Sequence, residues 1–507
     1  MEYATVAELL AARCKEYSDK EFLVVEDRNG AVERLTYQEF QGQVGKLAQV
    51  LNDRGIRKGD KVLLHLPNGS AFMKSWFAIL SIGAVMVPTN ILSPEEEMKY
   101  LVSHSESKLI LTEKEYEQKF SSFELPLLFS RLGEGRQGTW LEAEIERADP
   151  VLNLPNLQPQ DEAAILYTSG TTSKPKGVVL TQQNYLHTGK QMAKTLGYQP
   201  EDRVLIVLPM FHGNGQYYMA MPALYAGASI AITESFSASN YVKQAKLLKA
   251  TVGSLFSAPI KMILKKDYDS KDVENPLRLV IYAQALTEQQ YEEFLTRYQV
   301  ELRQLYGMTE TVAIPLMNPV EDLQDPISIG KEACGYSVVL RDENGQQVAA
   351  GEEGEITVYG EPGVTIMKEY FKNPTATAET IQDNWLYTGD MARVDPENGL
   401  FYFVDRKKDM MKRSGENIAA GEVEAVINEH DAVFESAVVS VPDPVHEESI
   451  HAFVILKDNQ KLTTEELLDW CRERLAKFKV PQEIHFTEDF PRTSVGKIQK
   501  QQMKKWI

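Results

Sequence analysis

For thirty residues from Val204 to Thr233 the chain carries no Asp, Glu, Lys or Arg, yet Pro209, Gly213, Gly215, Pro222 and Gly227 cut that run into strand-length pieces. A second uncharged run, the 20 residues Ser75–Pro94, is interrupted by Gly83 and Pro88. A membrane-spanning helix needs about 20 mostly apolar residues with every backbone polar group satisfied internally. Breaks at this spacing predict instead short helices and strands buried on both faces, as in parallel sheets covered by helices. No membrane span is expected.

The same rhythm runs through the N-terminal part. Thr36-x-x-Glu39 has the form of a capping box before a helical pattern that fades at Gly55. Lys61–Leu66 reads as a short buried strand, Asn68-Gly69-Ser70 opens a helix into Ile82, and Val85–Pro88 is the next strand. Strand-like units recur at Ser107–Thr112, Arg203–Leu208, Ser229–Ile232 and Leu277–Tyr282. From Gly330 to Gly360 the texture changes to short strands and acidic turns such as Asp342-Glu343-Asn344-Gly345, which predicts a small β subdomain. After the strand Leu400–Val404 comes the charge cluster Asp405-Arg406-Lys407-Lys408-Asp409. Beyond it lie a helix from Gly421, strands at Ala437–Val441 and His451–Leu456, and a helix after Thr463-x-x-Glu466. The expected class is α/β: a large N-terminal domain of α/β sheets plus a small β subdomain over 1–404, a hinge at 405–409, and an α+β C-terminal domain over 410–507. At 507 residues the chain exceeds the roughly 250–300 at which one core stops growing, in keeping with that division.

Charge and cysteine content exclude several function classes. Against 54 basic residues stand 73 acidic ones, a net charge of −19 that repels polyphosphate and argues against nucleic acid as a partner. Cys14, Cys334 and Cys471 are far apart and offer neither a disulfide framework nor a zinc site, which suits a reducing compartment. The opening Met-Glu-Tyr has no basic and apolar leader, so a cytoplasmic location is expected.

The chemistry is concentrated in Tyr167-Thr168-Ser169-Gly170-Thr171-Thr172-Ser173-Lys174-Pro175-Lys176-Gly177, which follows the strand-like Ala163–Leu166. Hydroxyls, flexible backbone N–H groups and two lysines are the groups that wrap a polyphosphate. No Gly-x-x-x-x-Gly-Lys-Ser/Thr is present, which argues against a P-loop NTPase. By composition alone the segment reads equally as a flexible Ser/Thr-rich surface loop. A lone glutamate such as Glu310 reads as a solvated helix start, and an Asp after Gly, such as Asp390, as a turn residue. His212, between Phe211 and Gly213, reads as structural before it reads as catalytic.

The pattern goes further than composition. Tyr-Thr-Ser-Gly-Thr-Thr-x-Lys-Pro-Lys-Gly resembles the phosphate loop of the adenylate-forming superfamily, which includes acyl-CoA synthetases, peptide-synthetase adenylation domains and beetle luciferases. Four further elements of that family follow in order: Tyr306-Gly307-Met308-Thr309-Glu310; Trp385-Leu386-Tyr387-Thr388-Gly389-Asp390; the block from Asp405 through Lys412 to Ile418; and Pro491-Arg492-Thr493-Ser494-Val495-Gly496-Lys497. The resemblance spans essentially the whole chain. It implies that Thr168, Ser169, Gly170, Thr171, Thr172 and Lys176 hold the ATP phosphates and that Thr309 and Glu310 serve the catalytic centre, Glu310 through the ATP-bound Mg²⁺. It also implies that Tyr306 stacks on adenine, that Asp390 takes the ribose hydroxyls, and that Arg406 and Lys412 assist from the hinge block. Lys497 would steady the charge that builds when a carboxylate attacks the α-phosphate, and His212 would lie near the substrate carboxylate. The C-terminal domain would be mobile, pivoting at Lys408 between two half-reactions.

Three departures accompany the resemblance. The family's Gly-Gly-Ala-Pro-Leu appears as Tyr282-Ala283-Gln284-Ala285-Leu286, Ala420 stands where proline is common, and Glu447 stands where a glycine usually precedes glutamate. Members that activate amino acids usually carry an aspartate near His212, and its absence argues against an amino-acid substrate.

The expectation is an ATP-dependent carboxylate–CoA ligase with ATP, Mg²⁺ and CoA as its cofactors and co-substrates. A separate carrier protein is the alternative acceptor, and a non-catalytic nucleotide-binding regulator the reading from another class. Tyr217, Tyr218, Met219 and Met221 read equally as walls of an apolar acyl pocket for a short-to-medium or aromatic acid and as plain core.

Overall fold

The computed structural model describes the chain apart from Met1, 132–139, 151–153, 169–173, Tyr268, 320–324, 408–409, 414–415, 444–445 and 493–497, and apart from the side chains of Glu416 and Asn417. The described residues divide into two compact units, Met1–Val338 with Val358–Leu386, and Val339–Thr357 with Tyr387–Ile507.

Two sheets dominate the first unit. Among the described residues one has nine strands, in the order Lys331–Glu332, Leu316–Met317, Glu301–Tyr306, Leu279–Ala283, Val252–Phe256, Arg203–Ile206, Ser229–Thr233, Glu21–Glu26 and Val32–Thr36. Its centre, from Glu301–Tyr306 across to Glu21–Glu26, is parallel, and its edges are antiparallel. The other runs Glu369–Tyr370, Lys176–Thr181, Glu162–Thr168, Val85–Pro88, Lys61–His65, Ser107–Thr112 and Leu127–Phe129. Helices such as Tyr37–Asp53 and Ser70–Ser81 cover these strands, the first with the capping box expected at Thr36 and Glu39. The mostly apolar strands are buried on both faces, Ser229–Thr233 along its whole length, as a parallel interior requires.

The long uncharged run folds as its breaks imply. Arg203–Ile206 is a strand, Asn214–Ala220 a π-helical turn, Met221–Ala226 an α-helix with Pro222 in its first turn, and Ser229–Thr233 the next strand. Gly227 ends that helix at φ +73°, and a Cβ there would meet the Tyr17 ring at 2.3 Å. Among the described residues no helix is long and apolar enough to cross a membrane.

The second unit contains a three-stranded sheet in which Val433–Asp443 pairs antiparallel, and Glu483–Phe486 parallel, with Glu447–Leu456. On one face Ile450, Ala452, Val454 and Ile484 cluster with Val423, Ile427, Leu467 and Cys471 of the helices Ala420–Asn428 and Thr464–Arg474. On the other, Ala437, Val439 and Phe453 cluster with Phe490 and Met503. Thr463 and Glu466 form the second expected capping box. All three cysteines are buried free thiols.

The division between the units falls inside strands of one sheet, Ser337–Arg341, Glu353–Tyr359 and Trp385–Val394. The chain therefore enters the second unit, returns to the first for Val358–Leu386, and leaves it again. Of the anticipated hinge at 405–409, Asp405 and Arg406 close the strand Phe401–Arg406, while Lys408 and Asp409 lie outside the described residues.

Candidate active site

In the first unit the phosphate-loop motif is framed by an antiparallel pair. Glu162–Thr168 and Lys176–Thr181 set Thr168 opposite Lys176, and the Thr168 hydroxyl donates to the Lys176 carbonyl at 3.5 Å. Ser169, Gly170, Thr171 and Thr172, which complete the expected phosphate contacts, lie outside the described residues. Behind the frame, the Tyr167 hydroxyl is 2.7 Å from His104 Nδ1, and burial pushes the Tyr167 phenol well above its ordinary pKa.

The segment 366–371 runs along the outer edge of this frame. Lys368 N–H donates to the Val179 carbonyl and Phe371 N–H to the Gly177 carbonyl, so Glu369 and Tyr370 form a short antiparallel strand on Lys176–Thr181. Met367 N–H donates to the backbone carbonyl of Glu310 at 2.9 Å, and the Tyr370 hydroxyl donates to Glu310 Oε1 at 2.8 Å. Lys176 Nζ stands 4.7 Å from the centre of the Tyr370 ring, a cation–π contact. One aromatic side chain thus touches both the lysine of the phosphate motif and the glutamate of Tyr-Gly-x-Thr-Glu. Burial, and after it the Glu310 carboxylate, raise the Tyr370 pKa, so its hydroxyl stays a donor.

Thr309 and Glu310 lie in the 3₁₀ turn Thr309–Thr311, which follows the strand Glu301–Tyr306 carrying the buried Tyr306. Glu310 is only 5% exposed. The turn ends at Val312, whose φ of +65° and ψ of −73° are strained for a β-branched residue, and such strain collects at functional sites. Gly307 is constrained sterically, because a Cβ there would lie 2.7 Å from the Tyr218 hydroxyl. A buried carboxylate beside a phenol oxygen fits a hard cation such as Mg²⁺, which prefers oxygen ligands.

His212 sits in the turn after Arg203–Ile206, its N–H bonded to the Pro209 carbonyl at 3.2 Å and its ring 4.1 Å from that of Phe211. Buried amides fix this turn: Asn68 Oδ1 accepts from Met210 N–H at 2.8 Å, and Gln216 Nε2 donates to the Met210 carbonyl at 2.7 Å. Tyr217, Tyr218, Met219 and Met221 are all buried. The Tyr217 hydroxyl, however, has no hydrogen-bond partner among the described residues. Its pKa is pushed up by burial first, then by Tyr185, Tyr218 and Glu310.

In the second unit, Asp390 lies opposite Arg406 in the pairing of Trp385–Val394 with Phe401–Arg406, and Arg406 Nε is 3.6 Å from Asp390 Oδ1. Glu355 braces the preceding turn, accepting from Gly389 N–H at 2.9 Å and from Lys407 Nζ at 2.9 Å. Lys412 is on a separate hairpin, its side chain exposed and its N–H bonded to Glu448 at 2.6 Å. Lys497 lies outside the described residues.

The structure thus gathers Lys176 and Glu310 around Tyr370 in one unit, with Thr168 opposite Lys176, and pairs Asp390 with Arg406 in the other. The motifs did not point to Tyr370, His104 or Glu355. The available signal for Tyr370 was faint, an aromatic just before the turn sequence Lys372-Asn373-Pro374.

The AMP-binding enzyme family matches residues 10–371, and the AMP-binding enzyme C-terminal domain matches residues 422–497. A crotonobetaine/carnitine–CoA ligase of Escherichia coli is 36% identical over 499 residues, 96% of each chain. The crystal structure of ATP-bound MatB from Rhodopseudomonas palustris superposes with a TM-score of 0.89 at 26% identity, covering 99% of this chain and 98% of that one. The o-succinylbenzoate CoA synthetase of Bacillus subtilis, in complex with its acyl-adenylate intermediate, superposes with a TM-score of 0.85 at 26% identity, covering 98% and 97%.

Proposed function

Because this chain belongs to the AMP-binding enzyme family and is an acid–thiol ligase, we propose that it joins a short-to-medium carboxylic acid to CoA through an acyl-adenylate. In the first half-reaction a carboxylate oxygen attacks the α-phosphorus of ATP and pyrophosphate leaves. In the second, the CoA sulfur attacks the acyl carbonyl, AMP leaves, and the thiol proton passes to solvent. The observation that carries this reading is Tyr370, which contacts both Lys176 and Glu310. Phosphate binding and metal binding need to be held together for attack on the α-phosphate, and this side chain joins one residue suited to each.

In this reading Lys176 and the hydroxyl loop hold the triphosphate, and Glu310 holds Mg²⁺, which when bound neutralises phosphate charge. Tyr306 flanks adenine, and Asp390, aligned by Arg406, takes the ribose hydroxyls. Lys497 aims a positive charge at the reacting carboxylate and α-phosphate. His212 borders the acyl carboxylate. Rotation at the 405–409 hinge exchanges Lys497 for a surface around Lys412, and closure keeps water from the mixed anhydride.

For the acyl group, the buried hydroxyl of Tyr217 supports an acid with a polar acceptor on a compact body. Leaving such a hydroxyl without a partner costs about 1–3 kcal/mol, which a substrate atom would recover. The E. coli relative is named for crotonobetaine and carnitine. Pyrophosphate release over acids graded in length, branching and polarity, with and without CoA, tests the proposal. Acid-dependent release followed by CoA-dependent thioester is expected. Release with no thioester from CoA, but loading of a holo-carrier, would move the acceptor to a carrier protein, and no release with any acid would sink the ligase reading.

A further inference from the structure

In the second unit two imidazoles and a carboxylate converge on one sheet face. Parallel pairing of Glu447–Leu456 with Glu483–Phe486 sets His451 beside Glu483 and Phe453 beside His485. Side chains alternate along each strand, so Ile450, Ala452 and Ile484 face the helices while His451, Glu483 and His485 share the opposite face. His451 Nδ1 lies 3.1 Å from His485 Nε2, and Glu483 Oε2 lies 3.9 Å from the first and 3.6 Å from the second.

Two ligands bonded at about 2.0–2.1 Å to a tetrahedral zinc ion stand about 3.3 Å apart, so a triangle with these edges needs only small side-chain rotations to embrace one ion. An independent feature is the far nitrogen of His451. Its Nε2 lies 3.2 Å from Ser449 Oγ, which leaves Nδ1 to face the other two groups. Metal-binding histidines almost always have their second nitrogen held in this way. His451 is 5% exposed, so its ring is held by its surroundings rather than by solvent. Phe453 stacks on His485 with ring centres 4.7 Å apart and fixes its plane.

We propose that His451, His485 and Glu483 form a binding site for one borderline divalent cation, zinc above all, with solvent completing the coordination. Two nitrogens and one oxygen suit zinc, cobalt or nickel better than Mg²⁺ or Ca²⁺, which take all-oxygen sets. The ion would staple Glu483–Phe486 to the central strand, and it owes nothing to the Glu310 site.

The test uses the untagged, full-length, metal-stripped chain, titrated with Zn²⁺ by calorimetry and with Co²⁺ by visible absorption. One equivalent of each is expected to bind, with d–d bands of four-coordinate Co²⁺ and a thermal transition that rises with metal concentration. His485→Ala should weaken binding about 10- to 100-fold, as loss of a ligand or of its support does. Glu483→Gln, on an exposed side chain that folding does not need, should weaken it several-fold, and His430→Ala should leave it unchanged. No stoichiometric uptake by the wild-type chain, or undiminished wild-type affinity in both His485→Ala and Glu483→Gln, would show that the two imidazoles are only hydrogen-bonded to each other and would overturn the site.

Discussion

Tyr370 donates its hydroxyl to Glu310 Oε1 at 2.8 Å across a separation of 60 residues, and holds its ring against Lys176 Nζ at 4.7 Å. Phenylalanine at this position keeps the ring contact and deletes the bond. A hydrogen bond to a charged group contributes roughly 1.5–3 kcal/mol, about ten- to hundred-fold in a rate. Tyr370→Phe should therefore slow acid-dependent pyrophosphate release at least about tenfold and raise the Mg²⁺ concentration needed for half-maximal rate, while the thermal transition moves little. An unchanged rate would reduce the contact to packing.

Lys497→Ala should separate the two half-reactions. Pyrophosphate release is expected to fall by about 10²–10³, the effect of removing one charge-stabilising donor. Conversion of supplied acyl-AMP and CoA to thioester should persist. Equal loss of both steps would contradict the assignment of Lys497 to adenylation alone.

Glu447 opens the central strand of the C-terminal sheet at φ +69°, where the family usually has glycine. A left-handed backbone disfavours a side chain by roughly 1–2 kcal/mol, of which glycine's greater freedom when unfolded cancels part. Glu447→Gly should raise the thermal transition of this unit by a few degrees in calorimetry. A lowered transition would mean that contacts of the Glu447 side chain outweigh the strain.

Glu142 supplies a pH signature. Its carboxyl is pushed up from an ordinary 4.5 to about 7, mainly by burial, and Oε2 has no hydrogen-bond partner among the described residues. Below about pH 4.5 the group is protonated in the folded and the unfolded chain alike, and its contribution to stability is fully present. Between about 4.5 and 7 the unfolded chain releases the proton first, so that contribution is lost as pH rises, by roughly 1–3 kcal/mol in total. Glu142→Gln should flatten this part of the stability–pH curve and raise stability at pH 8. A parallel decline in wild type and variant would place its origin elsewhere.

Much of the fold was legible because its signals are local. The capping boxes at Thr36 and Thr463 were read from hydroxyl–carboxylate spacing, and the strands Val85–Pro88 and Ser107–Thr112 from short apolar runs bounded by turn residues. Tyr370 was not legible, because its strand is two residues long and exists only through pairing with Lys176–Thr181, too short to show a period. The π-helical turn Asn214–Ala220 was hidden among residues that suit strand or helix alike. The departure at Tyr282–Leu286 could be read as a change of bulk, but not that Gln284 would take φ +73°. The His451–His485 pair depends on the register of two strands about thirty residues apart, which no motif encodes.

The order of the pieces has a consequence for biosynthesis. Residues 339–357 of the second unit leave the ribosome before Val358–Leu386, which completes the first. At about 5–20 residues per second, the edge strand Lys176–Thr181 and the carboxylate of Glu310 wait several seconds for Tyr370 after Glu310 itself has been made. The nascent chain thus holds an open sheet edge and an incomplete centre while later residues are added, an interval in which a chaperone or a pause in translation has something to protect.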